Sequence, residues 1–256
     1  MPCLGIGIGP GFGVAVPWNP DQVSGFYDEW NYTARVYSND AGTTAAAVND
    51  GVANWIGVRG HRWLQTTSTS RPTLTASGLS FDGTADYLDG TTDMAGVIQD
   101  QAGFTCAMLY TPTSAVGAAQ RYLYITRNAA GSVRFNMIGN LGGLTGYVVS
   151  QSRRLDGDTA YTTTALVGVT AVNQVRIDRI DWENGVQSSH RNGTLLFSEE
   201  PAWTAGGNTS ATASTQVTLS GSTAFGNFVL ERVVFIQSYL SDADLAQLNT
   251  YMSTGI

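Results

Sequence analysis

Leu79-Ser80-Phe81-Asp82-Gly83-Thr84-Ala85-Asp86-Tyr87-Leu88-Asp89-Gly90 is the stretch whose reading decides the fold. Leu79 and Phe81 stand two apart, so they share one face of an extended chain. Asp82-Gly83 then offers a tight turn, because glycine accepts positive φ and aspartate tolerates it. Tyr87 and Leu88 resume an extended run. The reading is strand, turn, strand, entering an antiparallel sheet, with Arg71-Pro72-Thr73-Leu74 as the proline-marked lead-in.

The flanking segments keep the same period of two. Residues 52–58 read as a short strand with Trp55 in the core, and 104–111 as a central strand with 121–126 as its neighbour. In 132–138, Val133, Phe135 and Met137 fall on one face. Asn140-Leu141-Gly142-Gly143 makes a turn before 145–150, and 162–169 and 174–181 follow as strands. Asn192-Gly193 is the strongest short-range hairpin signal in the chain. Residues 204–215 form a loop of Thr, Ala, Gly, Ser and Asn. In 228–238, Val229, Glu231, Val233 and Phe235 alternate with Leu230, Arg232, Val234 and Ile236. The one convincing helix is 241–252: Ser241 is a good N-cap, Asp242 and Asp244 occupy the first turn, and Leu245, Leu248 and Met252 share a face. Many short strands and one terminal helix indicate an all-β sandwich.

With 256 residues the chain can bury a full core as one large β domain. Only 13% of its residues are charged, and a net charge of -7 excludes the basic footprint of a nucleic-acid binder and attraction to an anionic membrane. Lysine is absent; all 13 basic residues are arginine. No run of about 18 apolar residues marks a membrane span, and no basic, apolar leader marks secretion. Cys3 and Cys106 make no disulfide framework; Cys106, between Phe104 and Met108, reads as a buried free thiol.

Residues 1–20 differ from the rest. Leu4, Ile6, Ile8, Phe12 and Val14 alternate with small residues, mostly glycine, which gives an extended chain one apolar face and one bare face. Two readings stay open: an attachment arm that docks on a neighbouring subunit, or an edge strand of the chain's own domain. The domain division is therefore 1–20 as arm and 21–256 as sandwich.

The ordered series Asp40-Ala41-Gly42-Thr43-Thr44, Val52-Ala53-Asn54-Trp55, Arg71-Pro72-Thr73-Leu74 and Leu240-Ser241-Asp242-Ala243-Asp244-Leu245 through Met252 resembles the concanavalin A-like, laminin-G-like jelly-roll proteins. Such proteins occur among phage tail and virion proteins and on some bacterial surfaces. The resemblance implies a jelly-roll sandwich with a short C-terminal helix. It also implies a non-enzymatic virion protein, in a head decoration, fibre or spike, with other virion proteins and host surface polysaccharide as partners. Threefold self-association is common in such assemblies.

The fold alone does not choose a chemistry. Binding a glycan requires aromatic platforms beside planar polar groups; Trp203, Tyr161, Arg153 and Arg154 are the candidates, with Trp182, Trp30 and Asp156 as further ones. Asp156 and Asp158 form an Asp-x-Asp turn that offers part of a Ca²⁺ set, or a plain Asx turn paired with its arginines; no other cofactor is expected. An enzymatic alternative, a glycosidase or lyase, would use Asp181 and Glu183, whose alternate strand positions can give the about 5 Å between carboxyls of a retaining pair, with Asp178 on the other face; against it, Glu183-Asn184-Gly185 reads as a turn that splays the pair into solvent. His61 and His190 follow no nucleophile pattern. A bacterial surface lectin is the third reading.

Overall fold

A computed structural model of the chain describes residues 17–113, 120–126, 133–140, 147–166, 172–201, 203, 206–221 and 224–254. The arm residues Leu4, Ile6, Ile8, Phe12 and Val14 lie outside them, as do Cys3 and Leu141-Gly142-Gly143. Strands are numbered in chain order. One sheet runs β15 (Thr194–Glu199), β14 (Val186–Arg191), β13 (Gln174–Asp181), β8 (Gly103–Pro112), β17 (Asn227–Ile236), β6 (Gly78–Asp82) and β5 (Thr73–Thr75), with β1 (Phe26–Asn31) also paired to β17. The other runs β12 (Tyr161–Leu166), β11 (Tyr147–Ser152), β10 (Val133–Asn140), β9 (Gln120–Thr126), β16 (Gln216–Leu219), β7 (Leu88–Asp89), β4 (Arg62–Leu64), β3 (Asn54–Ile56) and β2 (Val36–Tyr37). Every pairing between these strands is antiparallel. The molecule is the expected all-β sandwich, closed by helix α2 (Asp242–Ser253).

The deciding stretch connects the layers instead of forming a hairpin. β6 belongs to the first sheet and β7 to the second, so residues 83–87 are a crossover. Gly83 takes φ +75, and the Asp82 carboxylate accepts the amides of Thr84 (2.8 Å), Ala85 (2.9 Å) and Asp86 (3.1 Å). Leu79, Phe81 and Leu88 all reach the one core, which a period of two allows from either layer. Strand β9 is likewise not the neighbour of β8; β8 lies between β13 and β17. In β17 a register shift between Leu230 and Arg232 interrupts the simple alternation. It puts Phe228, Leu230, Val233 and Phe235 in the core together and turns Val234 and Ile236 outward.

Elsewhere the local signals hold. Asn192 (φ 49) and Gly193 (φ 77) form the β14–β15 hairpin with both central residues left-handed. The Ser241 hydroxyl caps α2 by accepting the Asp244 amide at 3.1 Å. Leu245, Leu248 and Met252 pack on Ala107, Leu109, Val175, Ile177, Val234 and Ile236, the outer face of β8, β13 and β17. The helix thus covers the middle of the first sheet and leaves the outer face of β14 and β15 open. Cys106 is a buried free thiol, and burial holds its pKa well above the usual value.

Between the sheets lies a core rich in rings, including Trp30, Trp55, Trp63, Phe81, Phe104, Phe228 and Phe235. At the β13–β14 side it gives way to polar groups. Arg176 donates to both oxygens of Asp178, through Nε at 3.0 Å and Nη2 at 2.7 Å. It also reaches the carbonyls of Ile138 (2.9 Å) and Val149 (2.8 Å) on the opposite sheet. The pair is sealed, at 1% and 0% side-chain exposure.

Candidate functional site

The strand directions collect the sequence-predicted residues. β11 leads into 153–160, β13 into the turn at 182–185 and β15 into the segment that returns to β16. All three connections leave the sandwich at the end where β8 begins, as the pairings Asp181 with Gly103, Gln187 with Glu199, and Ser152 with Tyr161 show. Arg153, Arg154, Asp156, Asp158, Tyr161 and Trp203 therefore share one rim.

At its centre is a residue that the sequence reading missed. Arg134, on β10 and only 1% exposed, grips the Asp156 carboxylate through Nε (3.1 Å) and Nη2 (2.9 and 3.2 Å). Its Nη1 donates to the Thr212 carbonyl at 2.6 Å. Ser210 Oγ donates to Asp156 at 2.8 Å, and Arg154 Nη1 to the Asn208 carbonyl at 3.0 Å. The Thr209 hydroxyl donates to the Ile98 carbonyl at 2.6 Å. These bonds tie the low-complexity segment across the rim. The signal for Arg134 was its place between inward-facing neighbours: Phe135 faces the core, so Arg134 must leave on the outer face.

Asp156 thus meets the Arg134 guanidinium. Asp158 accepts the Leu155 amide at 2.8 Å and donates its own amide to the Leu155 carbonyl at 3.1 Å, a closed Asx turn. Among the described residues no group of three or more His, Cys, Asp or Glu is placed to hold a metal ion.

Of the aromatic candidates, Trp30 and Trp182 are fully buried in the core and cannot be platforms. Trp203 is partly buried against that core, and Tyr161 is half-exposed with its hydroxyl donating to Glu199 at 2.7 Å. That bond to the carboxylate, ahead of burial, raises the Tyr161 pKa. Asp178 faces the interior, paired with Arg176. Asp181 accepts the Asn184 amide (2.9 Å) and side chain (2.8 Å), while Glu183 is exposed in the turn, so the two do not frame a groove. His61 staples a turn: its Nδ1 lies 2.9 Å from Asp28, which also accepts the amides of Arg59 (2.8 Å) and His61 (3.0 Å).

Arg153 Nε and Trp203 Nε1, both at the rim, are buried and make no hydrogen bond among the described residues. Buried donors are normally paired.

No family model and no curated protein matches the sequence. Solved structures match in fold. The CBM40 of the Ruminococcus gnavus IT-sialidase, bound to α2,6 sialyllactose, has a TM-score of 0.54 at 23% identity, covering 68% of this chain and 96% of that one. The Trypanosoma rangeli sialidase in complex with sialic acid gives 0.58 at 11% identity, over 90% of this chain but 34% of the enzyme. The leech intramolecular trans-sialidase gives 0.50 at 20% identity, over 70% and 27%. At these identities the likeness is one of fold: the chain is a β-sandwich of the kind found both as a binding module and within larger sialidases.

Proposed function

We propose that this protein is a non-enzymatic, glycan-binding sandwich whose rim, with Arg153, Arg154, Tyr161 and Trp203, takes an acidic sugar. The observation that carries the reading is that Arg153 Nε and Trp203 Nε1 are buried there with no hydrogen bond among the described residues. A sialic-acid type carboxylate and its neighbouring hydroxyls provide acceptors in that arrangement, and Tyr161 or Trp203 offers a ring face. The neighbour in complex with sialyllactose supports the ligand class. The test is calorimetric titration with 3′- and 6′-sialyllactose against lactose. Sialyllactose should bind and lactose should not, and Arg154→Ala or Trp203→Ala should weaken binding about tenfold or more. Equal binding of lactose, or indifference to both variants, would overturn the reading. Release of free sialic acid would replace it with the enzymatic one.

The resemblance of the sequence to virion proteins extends the proposal to a place on a phage particle. There the sandwich faces host polysaccharide, residues 1–20 fasten it to other virion proteins, and self-association is threefold. A chain lacking residues 1–16 should then stay folded but no longer join the particle; a large fall in its melting temperature would favour the edge-strand reading.

A further inference from the structure

A second concavity lies on the outer face of the first sheet, where α2 steps down onto β13, β14 and β15. It has a volume of about 600 Å³, within the range of small-molecule sites. Two polar atoms of its lining residues have no hydrogen-bond partner among the described residues. His190 is 7% exposed, and its Nδ1 is buried and makes no hydrogen bond; the same holds for Oδ1 of Asn249 on α2. Partnerless polar atoms on facing walls of one cavity are what a bound ligand would satisfy.

The charges of the site are already matched within it. Arg179 Nη1 donates to Asp242 at 2.9 Å and to the Leu240 carbonyl at 2.7 Å, and the guanidinium lies 4.5 Å over the Tyr239 ring. An anion would compete with Asp242 for Arg179, and a cation would compete with Arg179 for Asp242. Burial, with the nearby Arg179 charge, lowers the His190 pKa and keeps the imidazole neutral. A purely apolar ligand would leave both orphans unmet. Leu195, 53% exposed, offers apolar ground beside them.

We infer that this cavity is a second binding site, for a neutral sugar residue. One hydroxyl donates to Asn249 Oδ1, a second pairs with His190 Nδ1, and the sugar's C–H face lies on Leu195. The site does not depend on the acidic-sugar reading of the rim.

The experiment is an NMR titration of the full chain with methyl β-galactoside, methyl α-glucoside, methyl α-mannoside and N-acetylglucosamine. One of these should shift the His190 imidazole and Asn249 side-chain signals. Asn249→Leu and His190→Gln should each weaken that binding about tenfold while leaving sialyllactose binding unchanged. Arg154→Ala should leave it intact. If none of the four sugars shifts those signals, or if both variants bind as the parent does, the inference fails, whatever sialyllactose does at the rim.

Discussion

The two halves of the sandwich interior are built from different materials. Where β1, β4 and β17 meet, rings pack edge to face: Trp30 lies 5.5 Å from Trp63 and 5.3 Å from Phe235, and Phe235 lies 5.5 Å from Phe104. Where β13 and β14 face β10, β11 and β12, hydrogen bonds span the layers. Arg176 reaches Ile138 and Val149, and Gln187 donates to the Ser150 carbonyl (3.2 Å) and Thr163 (3.0 Å) while accepting from Ser152. Ring packing rewards buried area and tolerates small shifts. Charge-assisted bonds between sheets admit one alignment. The polar half is also the half whose strands end in the rim, so the alignment it enforces positions the loops after β11 and β13. The aromatic half supplies cohesion and the polar half supplies placement.

Substitutions can break that contrast. Asp178→Leu leaves the buried Arg176 charge uncompensated and should cost about 3–5 kcal/mol in urea unfolding. Arg176→Met with Asp178→Leu should recover most of this, with a residue from the two carbonyls and the Ser189 hydroxyl left unpaired; Ser189 donates to Asp178 at 2.6 Å. Phe235→Leu, in the other half, should cost only about 1 kcal/mol. A larger loss from Phe235→Leu than from Asp178→Leu would reverse the assignment of the two roles.

A smaller effect sharpens the picture at the crossover on the aromatic side. Burial and the charge of Asp82 raise Asp86 to about 6. Burial pushes Asp82 upward too, but the Ala85 amide and the Thr84 hydroxyl and amide outweigh it and hold Asp82 near about 2. Because the folded chain holds the Asp86 proton more tightly than the unfolded one, its contribution is complete below about pH 4 and is lost as pH climbs through about 6. The Asp82 contribution is present above about pH 4 and is lost as pH falls through about 2. The melting temperature should therefore fall between pH 4 and 6, and Asp86→Asn should flatten part of that fall. Glu29, Asp89 and Glu231, each raised chiefly by burial, add to that fall. An unchanged slope in Asp86→Asn would remove the crossover from the account.

What the sequence made legible is what one segment encodes alone. Gln174–Asp181 was readable to the residue, Asn192-Gly193 announced its hairpin, and Ser241 with Leu245, Leu248 and Met252 announced the helix. Partnership between segments was not legible. Leu79, Phe81 and Leu88 satisfy the same core from either layer, so the alternation could not say that β6 and β7 separate. The register shift in β17 carries no local mark beyond Glu231-Arg232 inside an apolar strand. At the rim, the turn around Asp156 and Asp158 was visible, but its partner Arg134 comes from another strand. The burial of Arg176 and Asp178 was not legible, because charges two apart on a strand suggest a wet face. Here Val175 and Ile177 turn to the helix, and the charges turn inward.

One feature of the topology bears on how the molecule is made. β17 is among the last strands in the chain, yet it occupies the middle of its sheet, holding β8 on one side and β6 and β1 on the other. Until a ribosome has released residues 227–236, the sheet has a gap at its centre, and the apolar faces of β8 wait beside an open seam. Biogenesis then has to keep a greasy, half-zipped intermediate from finding strands on neighbouring nascent chains, and attendance by a holdase chaperone is the natural remedy.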